Sequence, residues 1–342
     1  MVKRDTYIDW LKGFAIFTVV LGHCWMRTNA MYWMIYRFHM VLFMTLSGYL
    51  FNGSRDFKTF VIRKAKSLML PFLMYSLLSV VISMLFLGGG FRDIPSYLLG
   101  IIFGGRFCLA YNNFTLWYIP LMFIASVIMY FVVNKFSHRY NLIMWVSFLM
   151  TPPFYLLVRF VIFRSINIPF SIQVIPTALL CMMVGYKLKT ENYNGSLVKN
   201  PYLNALLAIF MGLLGYVISI GSDATAIVPI SYLFVSAALM ICHMIVNLTK
   251  DCHNRIFCFV GENSLHILGV HRVILYILER RTGIGDWFIR RGITGGIASV
   301  LISVAVILFI CACILVIRYL KDYLKNKNRS AVSPQPDKEV LS

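Results

Sequence analysis

Acidic side chains are scarce in this chain, with 13 Asp and Glu against 32 Lys and Arg in 342 residues. Inside the apolar stretches carboxylates are almost absent. That tells against proton- or sodium-coupled transport, where a carboxylate near the membrane midplane is the commonest device. Charge of either sign is thin, at 13% of residues, while 59% are hydrophobic and the mean hydropathy is +0.76. A soluble domain could not hide so much apolar surface, so the chain reads as an all-α, polytopic integral membrane protein. Familiar catalytic signatures are missing as well: there is no GxSxG elbow, no Walker A loop and no HExxH. The eight cysteines show no zinc-ligand spacing with histidine partners, so no metal is expected. Cys252 and Cys258 fall on the predicted cytosolic side, where a disulfide is not expected. The net charge of +19 does not point to nucleic acid, because the cations sit in short connectors between apolar runs. Topology and lipid headgroups account for them.

What is present is a series of about ten apolar segments of membrane-crossing length, at 8–26, 33–51, 67–87, 114–133, 141–163, 172–187, 201–220, 226–246, 256–278 and 294–317. The connector 52–66 carries Arg55, Lys58, Arg63, Lys64 and Lys66 against Asp56 alone, which makes it cytoplasmic. Counting from there puts both termini inside. The remaining lysines agree: Lys3, Lys12, Lys135, Lys187, Lys189, Lys199, Lys250, Lys321, Lys325, Lys327 and Lys338 all fall toward that side. Residues 1–320 read as one transmembrane domain, and 321–342 as a disordered cytoplasmic tail.

Cations predicted on the outer side are all arginine: Arg27, Arg37, Arg92, Arg106, Arg159, Arg164, Arg272, Arg280, Arg281, Arg290 and Arg291. The outer acids are Asp93, Asp223, Glu279 and Asp286. The bland reading is arginines bonding lipid phosphates at helix ends. The sharper one is that some of them, with Arg280 and Arg281 as candidates, hold an anionic acceptor such as a lipid-linked sugar pyrophosphate or an acidic glycan.

Residues 9–51 organise the rest. Lys12 and His23 are eleven residues apart, which places them within about 20° on one helix face and roughly 16 Å apart along its axis. A cation therefore stands near one membrane surface with an imidazole well inside the hydrocarbon above it, and an intramembrane ionisable group is read as functional by default. His39 starts the next, inward-running segment. His271 lies about fifteen residues into the ninth segment, roughly 22 Å from its cytoplasmic start. Trp117 and Tyr118 begin the fourth at its outer end, either as belt aromatics or as part of a site. Three imidazoles and an aromatic pair thus share one membrane level. Ser264 precedes His271 by seven residues on nearly the same face. At the cytoplasmic level Lys12, Arg63, Lys64 and Lys66 gather, as topology determinants or as a seat for a phosphorylated donor.

Coenzyme A fits such a layout. Its phosphates want cations at the cytoplasmic end, while its long uncharged arm can thread toward a buried base. An imidazole can take a proton from a hydroxyl attacking a thioester, or carry the acyl group itself.

Five stretches resemble the membrane-bound acyltransferase family 3, whose members O-acylate cell-surface sugars in bacteria. YIDWLKGFAIFTVVLGHCW is similar to that family's opening motif of an acid, a basic residue, a glycine and a histidine eleven residues beyond the basic one. FHMVLFMTLSGYLF, RKAKSLMLPFLMY, TLWYIPLMF and FVGENSLHILGVH resemble the motifs that follow, in the family's order. The resemblance covers most of the chain. It implies cytosolic acyl-CoA as donor, His23 as the catalytic histidine, Lys12 at the critical basic position, and Trp117 and His271 near the acceptor or acyl path. Many members carry arginine where this chain has Lys12, so a point-charge contact replaces a bidentate one. The expected protein is an O-acetyltransferase of the bacterial cytoplasmic membrane, using acetyl-CoA as co-substrate and a surface-glycan sugar or its lipid-linked precursor as acceptor. In it His23 is base or transient acyl carrier, and His39 and His271 support it or bind acceptor. The alternative is a transporter or flippase of a lipid-linked sugar or small anion, without acyl transfer.

Overall fold

The computed structural model describes residues 6–86, 88–104, 113–158, 169–191, 200–219, 228–248 and 255–332. Cys252, Arg106, Arg159, Arg164, Asp223, Lys3, Lys199, Lys250, Lys338 and the side chain of Arg37 lie outside the described residues. Among the described residues the chain forms helices and no strand. Each of the ten apolar segments named above contains helix over most of its described part, with non-helical residues at 24–26, 50–51, 263 and 294. Four helical stretches are long and apolar enough to cross a membrane: Phe57–Phe86, Phe114–Asn134, Pro169–Thr190 and Gly295–Lys327.

Helix α1 (Thr6–His23) is the central post, with Leu11, Ala15, Ile16 and Val20 wholly buried. It packs against α2 (Asn29–Tyr49), α10 (Val228–Leu248), α11 (Arg255–Glu262), α12 (Ser264–Arg281) and α14 (Gly295–Val332). Helix α2 lies in turn along α8 (Ile175–Thr190). Helices in lipid gain little from burying apolar surface against each other, so close approach at small residues carries the association. Two seams show this. A Cβ on Gly261 would stand 1.9 Å from the Asp9 carbonyl oxygen, and one on Gly13 2.7 Å from that of Phe257, where α1 meets α11. Across α2 and α8, a Cβ on Gly48 would stand 1.9 Å from the Met182 carbonyl oxygen, and one on Gly185 1.9 Å from that of Thr45. The motif glycines Gly13, Gly48 and Gly261 are therefore packing residues.

Prolines and an asparagine set the irregularities. Helix α3 (Phe57–Lys64), capped by the Asp56 carboxylate accepting from the Thr59 N–H, runs into α4 (Leu70–Phe86) through a π turn, Ala65–Met69. Pro71 cannot donate and its ring crowds the carbonyl four residues back, so the ladder widens just before it. After the short helix α5 (Ile94–Phe103), the 3-10 turn Phe114–Trp117 leads into α6 (Tyr118–Asn134). Pro120 falls in the first turn of α6, where no donor is lost. Helix α7 (Tyr140–Leu156) packs on α8, and α9 (Pro201–Ser219) on α10.

The expected single segment 256–278 is two helices, α11 and α12, meeting at buried Asn263. The Asn263 amide donates to the Phe259 carbonyl at 2.7 Å and its oxygen accepts from Arg318 at 2.7 Å, so the side chain competes with the regular ladder. A short helix α13 (Ile284–Arg290) precedes α14. The segment expected as a tail from 321 is, up to Val332, the continuation of α14, exposed over 321–327.

Candidate active site

His23 is the last residue of α1, and its imidazole points into a cluster built from three other elements. From α2, the Tyr36 hydroxyl lies 2.9 Å from His23 Nδ1, with the rings edge to face. From α12, the His271 ring is 5.4 Å away between centroids. From the turn before α6, the Phe114 ring is 5.2 Å away and edge to face. His39 stands one turn of α2 beyond Tyr36, its ring 5.1 Å from the tyrosine ring. Tyr36 thus bridges His23 and His39.

Hydrogen bonding fixes two of the three tautomers. His39 Nδ1 is 2.7 Å from the Ile35 carbonyl, and His271 Nδ1 is 3.0 and 3.1 Å from the carbonyls of Ile267 and Leu268. A carbonyl only accepts, so both Nδ1 atoms carry hydrogen and both Nε2 atoms are left with a lone pair. The Nε2 of His271 is buried with no hydrogen-bond partner among the described residues. A buried acceptor without a partner is costly unless a ligand supplies the donor. At His23, the tautomer that leaves Nε2 free for a substrate proton has Nδ1–H donating to the Tyr36 oxygen.

The turn that presents Phe114 is held by a buried polar network. The Asn113 amide donates to Ser79 Oγ at 2.7 Å and to the Gly269 carbonyl at 2.9 Å, while the Thr115 hydroxyl donates to the Asn113 oxygen at 2.9 Å. Gly269 is glycine because the Tyr75 ring lies against it, 2.4 Å from where a Cβ would be. Tyr75 also hydrogen-bonds His266. So the fourth, third and ninth segments are tied together at the level of the histidines.

Lys12 sits on α1 beside buried Asp9, Nζ to carboxylate 3.8 Å, with Trp10 stacked on Phe257 next to it. Arg63 is exposed at the end of α3; Lys64 is half-buried there, and Lys66 is exposed in the π turn. Trp117 is half-buried and lies edge to face with Tyr118, so it is Phe114, three residues earlier, that meets His23. Ser264 opens α12 two turns below His271, roughly 10 Å along the axis. Arg280 is exposed, 5.4 Å over the Tyr276 ring, and Arg281 donates to the Phe86 carbonyl at 2.6 Å, closing the end of α4. The structure thus brings His23, His39 and His271 to one place. It adds Tyr36, Phe114, Asn113 and Arg272, which periodicity does not pick out.

The profile of a family described as an acyltransferase domain matches residues 5–317. Two curated relatives, both named nodulation protein NolL, are similar to parts of the chain. The one from Mesorhizobium japonicum is 30% identical over 146 residues, 37% of this chain and 35% of that protein. The one from Sinorhizobium fredii is 37% identical over 86 residues, 21% of this chain and 24% of that protein. The chain thus matches between a quarter and about a third of the length of these relatives. No solved structure matches.

Proposed function

We propose that this chain, which belongs to the acyltransferase-domain family, is a membrane O-acyltransferase that moves an acetyl group from cytosolic acetyl-CoA to a hydroxyl of a surface-glycan sugar or its lipid-linked precursor. The observation that carries this reading is the His23 imidazole held by Tyr36 at 2.9 Å, with the His271 ring 5.4 Å away between centroids and its Nε2 buried without a partner among the described residues. In this reading the ten helical segments cross a bacterial cytoplasmic membrane with both termini inside. Lys12, Arg63, Lys64 and Lys66 receive the coenzyme A phosphates at the inner end.

The chemistry then runs on this chain's own groups. His23 Nε2 takes the proton of the acceptor hydroxyl as its oxygen bonds to the thioester carbonyl carbon. The resulting imidazolium is stabilised by Nδ1–H donating to Tyr36. The tetrahedral centre collapses with C–S cleavage, and the proton on His23 passes to the departing coenzyme A sulfur. Neutral His271 accepts a hydrogen bond at Nε2 from the acceptor sugar and orients it. His39 props Tyr36 through their edge-to-face contact and acts as a positioning residue.

Two outcomes test this. Membranes containing the chain, given labelled acetyl-CoA, should pass label into a lipid or glycan extract; no transfer from acetyl-CoA or any other acyl-CoA would overturn the reading. Tyr36→Phe should lower kcat by about tenfold with little change in KM, since it removes one hydrogen bond to the base, about 1.4 kcal/mol at the transition state. An unchanged kcat would remove Tyr36 from the machinery.

A further inference from the structure

Arg272 follows His271 on α12, and its Nε and Nη1 are buried without a hydrogen-bond partner among the described residues. Its guanidinium lies 5.5 Å from the centre of the Phe114 ring and 5.9 Å from that of Tyr276. The same Phe114 ring touches His23, so the guanidinium and the candidate base share contact with one phenyl group. Arg27, in the turn after α1, has a similar state. Its Nη1 donates to the Cys24 carbonyl at 2.7 Å, and its Nε is buried and unpartnered among the described residues. Arg27 stands four residues beyond His23, just past the end of α1.

A guanidinium does not lose its charge in a protein, so burial demands compensation. Glu279, an exposed acid whose field reaches Arg272, forms no ion pair with it among the described residues. Buried N–H donors left open in this way cost free energy until an acceptor fills them. Arg280 and Arg281 differ: they are exposed, and Arg281 is committed to the Phe86 carbonyl. Lipid headgroups suit those two. Arg272 is set behind aromatic rings, beside the histidines, where a substrate would sit.

We propose that Arg272 and Arg27 form an oxyanion seat beside His23, and that the acyl acceptor is an anionic molecule whose phosphate or carboxylate docks there. The assignment to the acceptor rests on the acyl-transfer reading above. A phosphate or carboxylate accepts two parallel N–H bonds from a guanidinium, which anchors the acceptor at one end while a hydroxyl is presented to His23 Nε2. The same oxyanion chemistry serves a sugar pyrophosphate or a uronic acid, and the test separates them.

Wild-type protein and Arg272→Gln, purified in an uncharged maltoside detergent, are heated with inorganic pyrophosphate, with glucuronate and with glucose. The expected result is that pyrophosphate or glucuronate raises the wild-type melting temperature by several degrees and glucose does not. Which anion protects names the source of the oxyanion. Arg272→Gln should lose the protection. Arg139→Gln, an exposed arginine in the turn before α7, should keep it. If Arg272→Gln does not fold, Arg272→Lys keeps the charge without the fork and should need about tenfold more anion for half protection. No protection of the wild type by either anion, or equal protection of the Arg272 variants, would overturn the seat. Acetyl-CoA turnover by the same wild-type preparation is read alongside. Turnover without anion protection removes the seat and leaves acyl transfer standing. Protection without turnover supports the seat and removes its assignment to an acyl acceptor.

Discussion

His23→Ala is expected to lower kcat/KM for acyl transfer by on the order of 10²–10⁴, the range for loss of a positioned general base. The fold should survive the change, because His23 is at the end of α1, half-buried, and among the described residues contributes one hydrogen bond, to Tyr36. His271→Ala should act differently. Its Nδ1–H is spent on its own helix, which leaves Nε2 as the ring nitrogen open to an acceptor, so the loss should fall mainly on acceptor KM. Steady-state kinetics with acyl-CoA and acceptor varied separately distinguish the two. Near-normal transfer by His23→Ala would remove it as the base. A His271→Ala variant with a greater kcat loss than His23→Ala would exchange their roles.

The largest expected effect on stability comes from a methyl group far from chemistry. Gly185→Ala would place a Cβ 1.9 Å from the Thr45 carbonyl oxygen, so α2 and α8 must move apart. Backbone cannot step aside as a flexible side chain does, so the cost should lie at the upper end of overpacking, about 3 kcal/mol. Gly212→Ala is the contrast, since among the described residues its Cβ would meet only the Ala237 methyl, at 3.8 Å, an ordinary contact. Thermal unfolding of the two variants in detergent should show a large fall in melting temperature for the first and little change for the second. Equal melting temperatures would mean that the α2–α8 seam does not hold the bundle.

The meeting of His23 and His271 is legible in the amino-acid sequence, because depth along a membrane helix follows from residue count and about 1.5 Å of rise per residue. Depth says nothing about which way a side chain turns between helices. That is why Trp117 stands out in the sequence while Phe114 makes the contact with His23. Tyr36 is hidden in the same way, as one of several aromatics in a run where its facing direction depends on how α2 leans on α1. In the sequence Arg272 is one outer arginine among many. What sets it apart is two buried donors without partners among the described residues, and burial is a property of neighbours. The break at Asn263 is likewise masked by continuous hydropathy, although asparagine followed by serine inside an apolar run is a local signal for it.

The most direct test of acyl transfer is release of free coenzyme A from acetyl-CoA by the purified protein in lipid nanodiscs, with His23→Ala measured beside it. Thiol release by the wild type and its loss in His23→Ala would bear the account out. A folded wild type that neither binds nor turns over any acyl-CoA, or a His23→Ala variant that releases thiol as fast as the wild type, would contradict it.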